Sequence, residues 1–187
     1  MPENRPLDLV SLCGSLRQGS LNAAIQRSLP ELAPAGVTIT ALPGIGEMPL
    51  YNADVQAQGF PKPVIDMADA IRKADGVVIC SPEYNYSVPG VLKNAIDWIS
   101  RVPSQPFAGK PVLIQSASQG VLGGARMQYH LRQILVFVEA LVFNRPEVMV
   151  SQAQTKVDQE LKLTDPATRD FIKTQLAAFE TFVRRVG

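Results

Sequence analysis

Apolar positions along this chain alternate between two spacings. Short continuous runs give way to stripes at helical period, then return. Leu7-Asp8-Leu9-Val10-Ser11-Leu12-Cys13 has the make-up of a first strand. Leu21, Ala24, Ile25, Ser28 and Leu29 then recur at helical spacing, which predicts a helix from Leu21 to Leu32 with one face on a sheet. Pro30 is expected to end or kink it. After Gly36, Val37-Thr38-Ile39-Thr40-Ala41 is β-branched, a second strand. Residues 43–61 carry prolines and glycines without periodicity and read as one long irregular loop. Val64, Met67, Ala68 and Ile71 place a helix over 63–74, closed by Asp75-Gly76. Val77-Val78-Ile79-Cys80 is continuously apolar, as a central strand buried on both faces should be. Pro89 is expected at the first position of a helix whose stripe is Val91, Leu92, Ala95, Ile96 and Ile99. A fourth strand falls over 110–117 and a helix over 125–139, with Leu131, Ile134, Leu135 and Val138 inward. Residues 140–150 hold a fifth strand, interrupted because Pro146 has no N–H for a ladder. Pro166 opens a last helix along Ile172, Leu176, Phe179 and Val183.

Five strands alternating with five helices, without repeat or linker, predict one doubly wound α/β domain over residues 1–187, helices on both faces. In the order 2-1-3-4-5, the crevice lies at the carboxyl ends of strands one and three. The loops after strands one, three and four then converge on one end of the sheet.

The chain is long enough for a sizeable core, and 46% hydrophobic against 19% charged residues is a globular balance. A net charge of +1 supplies no field to recruit nucleic acid or an anionic membrane. No apolar run approaches the roughly 20 residues that span a bilayer. The polar stretch Met1 to Pro6 is too short for a signal peptide. Two cysteines, Cys13 and Cys80, make neither a disulfide framework nor a metal cluster; they read as small buried hydrophobes. A reducing, cytoplasmic setting is expected.

The loop after the first strand runs Gly14-Ser15-Leu16-Arg17-Gln18-Gly19-Ser20-Leu21-Asn22. A strand, a loop rich in Gly and Ser, and a helix N-terminus can hold an anion, because the first-turn N–H groups and the helix dipole favour negative charge. Ser15 and Ser20 add hydroxyls, Asn22 an amide, and Arg17 a guanidinium that can fork onto two phosphate oxygens. Leu16 and Leu21 flank these groups. The loop matches neither the Lys-bearing nucleotide loop nor the glycine-rich dinucleotide turn, and one Arg among neutral donors suits a single terminal phosphate. The plainer alternative is a solvated turn with a Ser cap.

After the third strand, Pro82-Glu83-Tyr84-Asn85-Tyr86 places two tyrosines beside a proline, a flat wall with polar tips. The plainer alternative has Tyr84 and Tyr86 packing the top of the sheet and Asn85 making an Asx turn. After the fourth strand, Ser118-Gln119-Gly120 would let backbone approach a ligand closely. A phosphate cradle beside a planar wall describes flavin mononucleotide (FMN).

These residues carry a resemblance. The chain resembles the NADPH-dependent FMN reductase family of flavodoxin-like proteins, nearest the bacterial soluble quinone and chromate reductases. The motifs are Gly14–Asn22, Pro82–Gly90 with Leu92-Lys93-Asn94-Ala95-Ile96-Asp97-Trp98, and Gly120-Val121-Leu122-Gly123-Gly124-Ala125-Arg126. The resemblance implies non-covalent FMN, NADPH or NADH as hydride donor, and a small-molecule acceptor: a quinone, free flavin, an azo compound or chromate. Phosphate contacts fall on Ser15, Arg17, Ser20 and Asn22 with Leu16 and Leu21 between them; ring contacts fall on Pro82, Glu83, Tyr84, Asn85, Ser118, Gln119 and Gly120. A backbone N–H near Asn85 would face the ring's N5 or O4. The flavin carries the chemistry in a ping-pong scheme, so no side chain is assigned as catalytic and no metal is expected. A homodimer or homotetramer with FMN at the dimer interface is also implied, with Arg126, Tyr129 and Glu147 joining dimers. His130, the sole histidine, reads as lying away from the three loops. Two alternatives stay open: an electron-carrying flavodoxin without enzyme activity, and a binding module that has lost the cofactor.

Overall fold

A computed structural model describes residues 5–187; residues 1–4, part of the stretch read as too short for a signal peptide, lie outside the described residues. The elements are β1 (Leu7–Cys13), α1 (Leu21–Leu32), β2 (Val37–Ala41), α2 (Ala53–Ala57), α3 (Lys62–Lys73), β3 (Gly76–Cys80) and α4 (Gly90–Ile99). They continue with β4 (Pro111–Ala117), α5 (Ala125–Phe137), β5 (Leu141–Val142), β6 (Val148–Val150) and α6 (Pro166–Val186).

The sheet runs β2-β1-β3-β4-β5, with β6 also on β4, and every pairing is parallel. The interrupted strand is therefore two short strands on one neighbour. Pro111 and Val112 pair with β5, and Gln115 to Ala117 pair with β6. Pro146 lies in the gap, where no ladder donor is needed.

Side chains alternate across the sheet. Val10, Leu12, Val77, Ile79, Val112 and Ile114 join the core under α3, α4 and α5, around Trp98. Leu7, Leu9, Val78, Cys80 and Leu113 join the core under α1 and α6, around Phe179. Period two in the strands thus feeds both layers of helices. Ile172, Leu176, Phe179 and Val183 are all buried, as their spacing requires. Both cysteines are free; Cys80 is fully buried, and burial pushes its thiol well above the ordinary range.

Five local readings are corrected. α1 does not end at Pro30 but runs through it to Leu32, which is buried beyond the proline. Pro89 stands just before α4, at the capping position, and Gly76 belongs to β3. α5 stops at Phe137, short of Glu139, whose backbone is left-handed. Residues 43–61 are not one irregular loop. They hold a 3-10 turn, Ile45–Glu47, and α2, whose Asn52 side chain accepts from Asp54 N–H. The stretch is pinned from α4: Asn94 Nδ2 and Trp98 Nε1 both donate to Pro49 O, at 2.9 and 2.7 Å, and Tyr51 N donates to Asn94 Oδ1 at 2.7 Å. Tyr51 meets Trp98 edge-on with ring centroids 5.1 Å apart.

Candidate functional site

The three loops do meet at the carboxyl end of the sheet. Ser15, Arg17, Ser20, Leu21 and Asn22 from the first, Pro82, Glu83 and Tyr84 from the second, and Ser118 and Gln119 from the third line one cleft. Its volume is about 180 Å³. Ala117 lines it too, a residue the sequence reading left out. Leu16, Asn85 and Gly120 are not among the lining residues. Leu16 is instead exposed beside Gly46, where a methyl would come within 3.0 Å of Leu16 Cδ2.

The first loop leaves β1 at Gly14, whose N–H donates to Cys80 O at 2.9 Å. A methyl on Gly14 would sit 2.3 Å from Ser81 Oγ, so only glycine fits here. Ser15 Oγ accepts from Arg17 N–H at 3.3 Å, and Ser20 N–H donates to Arg17 O at 3.1 Å. These bonds turn the chain into α1, where Ser20 Oγ caps Ala23 N–H. The helix N-terminus is thereby aimed at the cleft. Among the described residues the Arg17 guanidinium makes no ion pair and no side-chain hydrogen bond; it lies over Gly19. Asn22 is engaged already. Its Nδ2 donates to Ala117 O at 3.0 Å and its Oδ1 accepts from Ala117 N–H at 2.8 Å. The amide ties the first loop to the end of β4. Burial raises the neighbouring Cys13 thiol above its ordinary range, which keeps it neutral.

The second loop is a two-residue hairpin. Tyr84 and Ser87 exchange backbone hydrogen bonds of 3.1 and 3.0 Å around Asn85 and Tyr86, both left-handed with φ of 49° and 64°. Tyr84 and Tyr86 are 49% and 65% exposed, so they do not pack the top of the sheet. Glu83 turns inward instead. Its carboxylate accepts from Arg126 and Met127 N–H and pairs with the Arg126 guanidinium at 2.8 Å, capping α5 from another loop. The same guanidinium lies 3.6 Å over the Tyr86 ring. His130 does not lie away from the loops, as its position in sequence suggested. Its Nδ1 is 3.0 Å from Ser87 Oγ, because one turn of α5 carries it from Arg126 to the hairpin.

The third loop is fastened to β6: Ser118 N donates to Val150 O, and Ala153 N to Ser118 O, both at 3.0 Å. Gly120 is not what needs a glycine here, since a Cβ there would meet only Ser118 Oγ at 3.8 Å, an ordinary contact. Gly123 and Gly124 are. Both have positive φ, and a methyl would press on Met149 backbone or on Ser116 at under 3 Å. They seat α5 against the sheet.

A parallel doubly wound sheet with an anion-ready loop after β1 and an aromatic loop after β3 defines a flavodoxin-like protein. Residues 7–155 match the model of the NADPH-dependent FMN reductase family, and the chain belongs to that family. The chain is 58% identical over 182 residues to a quinone reductase of Escherichia coli K12, covering 96% of this chain and 97% of the relative. It is 49% identical over 180 residues to an NAD(P)H-dependent FMN reductase of Pseudomonas aeruginosa, covering 96% and 97%. Among solved structures it is similar to FerB of Paracoccus denitrificans, a flavoenzyme NAD(P)H:(acceptor) oxidoreductase. The TM-score is 0.87 at 33% identity, over 97% of this chain and 99% of that one. The chain is therefore an NAD(P)H-dependent flavoenzyme using FMN, and the carrier and cofactor-free alternatives fall away. Among the described residues no helix is long and apolar enough to cross a membrane.

Proposed function

We propose that residues 1–187 form a single FMN-binding domain that reduces quinones with NADPH or NADH. The observation that carries this is the unpaired Arg17 guanidinium at the capped N-terminus of α1, in the same cleft as Tyr84. The residues fit the cofactor: one fixed cation, the Ser15 and Ser20 hydroxyls and first-turn N–H groups match a terminal phosphate. Leu16 and Leu21 lie between these groups in the loop, and Asn22 keeps one Nδ2 hydrogen beyond its bond to Ala117. Pro82, Glu83, Tyr84, Asn85, Ser118, Gln119 and Gly120 would hold the ring. The Glu83 carboxylate is held by α5, so any contact of this residue with the ring would come from its main chain. When bound, FMN supplies two-electron chemistry between donor and acceptor. Backbone N–H groups beside Asn85 and Gly120 would steady negative charge on the ring. Donor and acceptor occupy one place in turn, giving ping-pong kinetics, and free flavin, azo compounds and chromate are further acceptors.

A cleft of about 180 Å³ is smaller than the roughly 300–1,000 Å³ of complete ligand sites. It takes the phosphate end and leaves the ring beside exposed Tyr84. A second copy of the chain closes that side, giving a homodimer or homotetramer with FMN at the interface. Arg126, Tyr129 and Glu147 are the residues for joining dimers; Tyr129 is 53% exposed, and Glu147 is held by Arg132 at 3.2 Å. A cytoplasmic setting suits both free cysteines.

An absorbance spectrum of the purified protein, followed by anaerobic titration with NADH and NADPH, tests the reading. Flavin bands bleached by either donor and restored by quinone are expected. A colourless protein that takes up no added FMN would refute it.

A further inference from the structure

The second loop is in a conformation its own sequence disfavours. Its closing residues, Tyr84 and Ser87, frame two consecutive left-handed residues, the geometry of a type I′ turn. That turn favours Asn then Gly; here Tyr86 occupies the second position at φ 64°. Such a conformation persists only where the surroundings hold it. One face of α5 supplies the hold. Arg126 lies over the Tyr86 ring, and four residues on, His130 reaches Ser87 Oγ at 3.0 Å. α5 is itself anchored by Glu83 at its first N–H groups and by Gly123 and Gly124 against the sheet.

We infer that His130 is a positioning residue of the flavin site: through Ser87 it holds the Asn85–Tyr86 turn left-handed and so fixes the wall that Tyr84 presents. It touches neither cofactor nor substrate. The inference rests on the flavin reading above for its consequence, but the hold on the turn is a property of the protein alone. Ser87 Oγ can donate or accept, so either tautomer of His130 serves. The atom that matters is Nδ1. An asparagine at this position can place an amide atom near it, whereas a glutamine reaches toward Nε2 and a leucine offers nothing.

The test compares His130→Leu, His130→Gln, His130→Asn, Ser87→Ala and the double variant His130→Leu/Ser87→Ala with the parent. His130 and Ser87 are not core residues, so the variants should fold. In the apoprotein, amide exchange at Tyr84 and Ser87 should quicken about threefold in His130→Leu, His130→Gln and Ser87→Ala, the low end for a solvent-facing hydrogen bond. His130→Asn should stay near the parent. FMN dissociation constants should rise by the same factor in the same variants, and the double variant should be no worse than either single. Parent-like exchange in His130→Leu, or additive effects in the double variant, would overturn the inference. A parent that takes up no FMN would sink the flavin reading, while the exchange data would still decide the hold on the turn.

Discussion

Arg17→Ala is the sharpest perturbation of the site, because it removes the proposed phosphate contact without removing a side-chain hydrogen bond or ion pair among the described residues. The guanidinium makes no ion pair or side-chain hydrogen bond among the described residues and is exposed at the cleft mouth. The Glu83 carboxylate, the nearby opposing charge, is already neutralised by Arg126. A terminal phosphate carries about two negative charges and three acceptor oxygens. Hydrogen bonds to a charged group contribute roughly 1.5–3 kcal/mol. FMN binding should therefore weaken by about 10- to 150-fold, and the open side of the cleft favours the lower half of that range. The melting temperature of the apoprotein should move by no more than about 1–2 °C, what the roughly 0.5 kcal/mol of a surface substitution allows. Arg17→Lys keeps the charge but loses the fork, and should fall between the two. The assay is fluorescence titration of apoprotein with FMN at low and moderate salt, with riboflavin as the ligand lacking phosphate. The gap between parent and variant should narrow with salt, and riboflavin affinity should not change. An unaltered FMN constant, or an equal loss for riboflavin, refutes the assignment of Arg17 to phosphate.

The remaining predictions concern what holds the cleft in shape. Gly14→Ala forces a methyl to 2.3 Å from the buried Ser81 Oγ and should cost about 1–3 kcal/mol, seen as a melting point lower by roughly 2–12 °C. An unchanged melt would mean the loop has slack the geometry denies. Asn22→Ala leaves both Ala117 N–H and C=O without their partner, about 1–3 kcal/mol for each in chemical denaturation. If the variant lost only FMN affinity and no stability, the amide would be a ligand contact first and a tie second. The hydrogen bond from Arg5 holds the Asp75 carboxyl below the ordinary carboxylate range. A group depressed on folding adds stability above its unfolded value and loses it as pH falls through the folded one. Asp75→Asn should therefore flatten the acid limb of a urea-midpoint profile, and identical limbs in parent and variant would exclude the pair as a source of acid sensitivity.

What was legible in the sequence, and what was not, divides by the range of the interaction. β1, β2 and α1 were readable to the residue because period two and period 3.6 are local properties of the chain. At Pro30 the local rule allowed an end as well as a kink, and burial of Leu32 is what carries the helix on. Residues 43–61 looked structureless because their order comes from Asn94 and Trp98, 45 and 49 residues away from Pro49. The site residues show the same division. Asn22 was read as an amide for the phosphate, yet it also has a protein partner, Ala117, 95 residues on. Glu83 was read as a ring contact, yet its carboxylate is held 43 residues on by Arg126, and Ser87 finds His130 across the same span. In each case a side chain that the motif offers to the ligand is partly taken by the protein. That is what makes the cleft work: Asn22 ties the first loop to β4, Glu83 ties the second to α5, and Ser118 ties the third to β6. Loops fixed to the scaffold at such separations lose little freedom when a ligand arrives. On the proposed assignment, the Arg17 guanidinium, without an ion pair among the described residues, would give most of its interaction to the phosphate, which is why one residue is expected to move the affinity while the fold stays still.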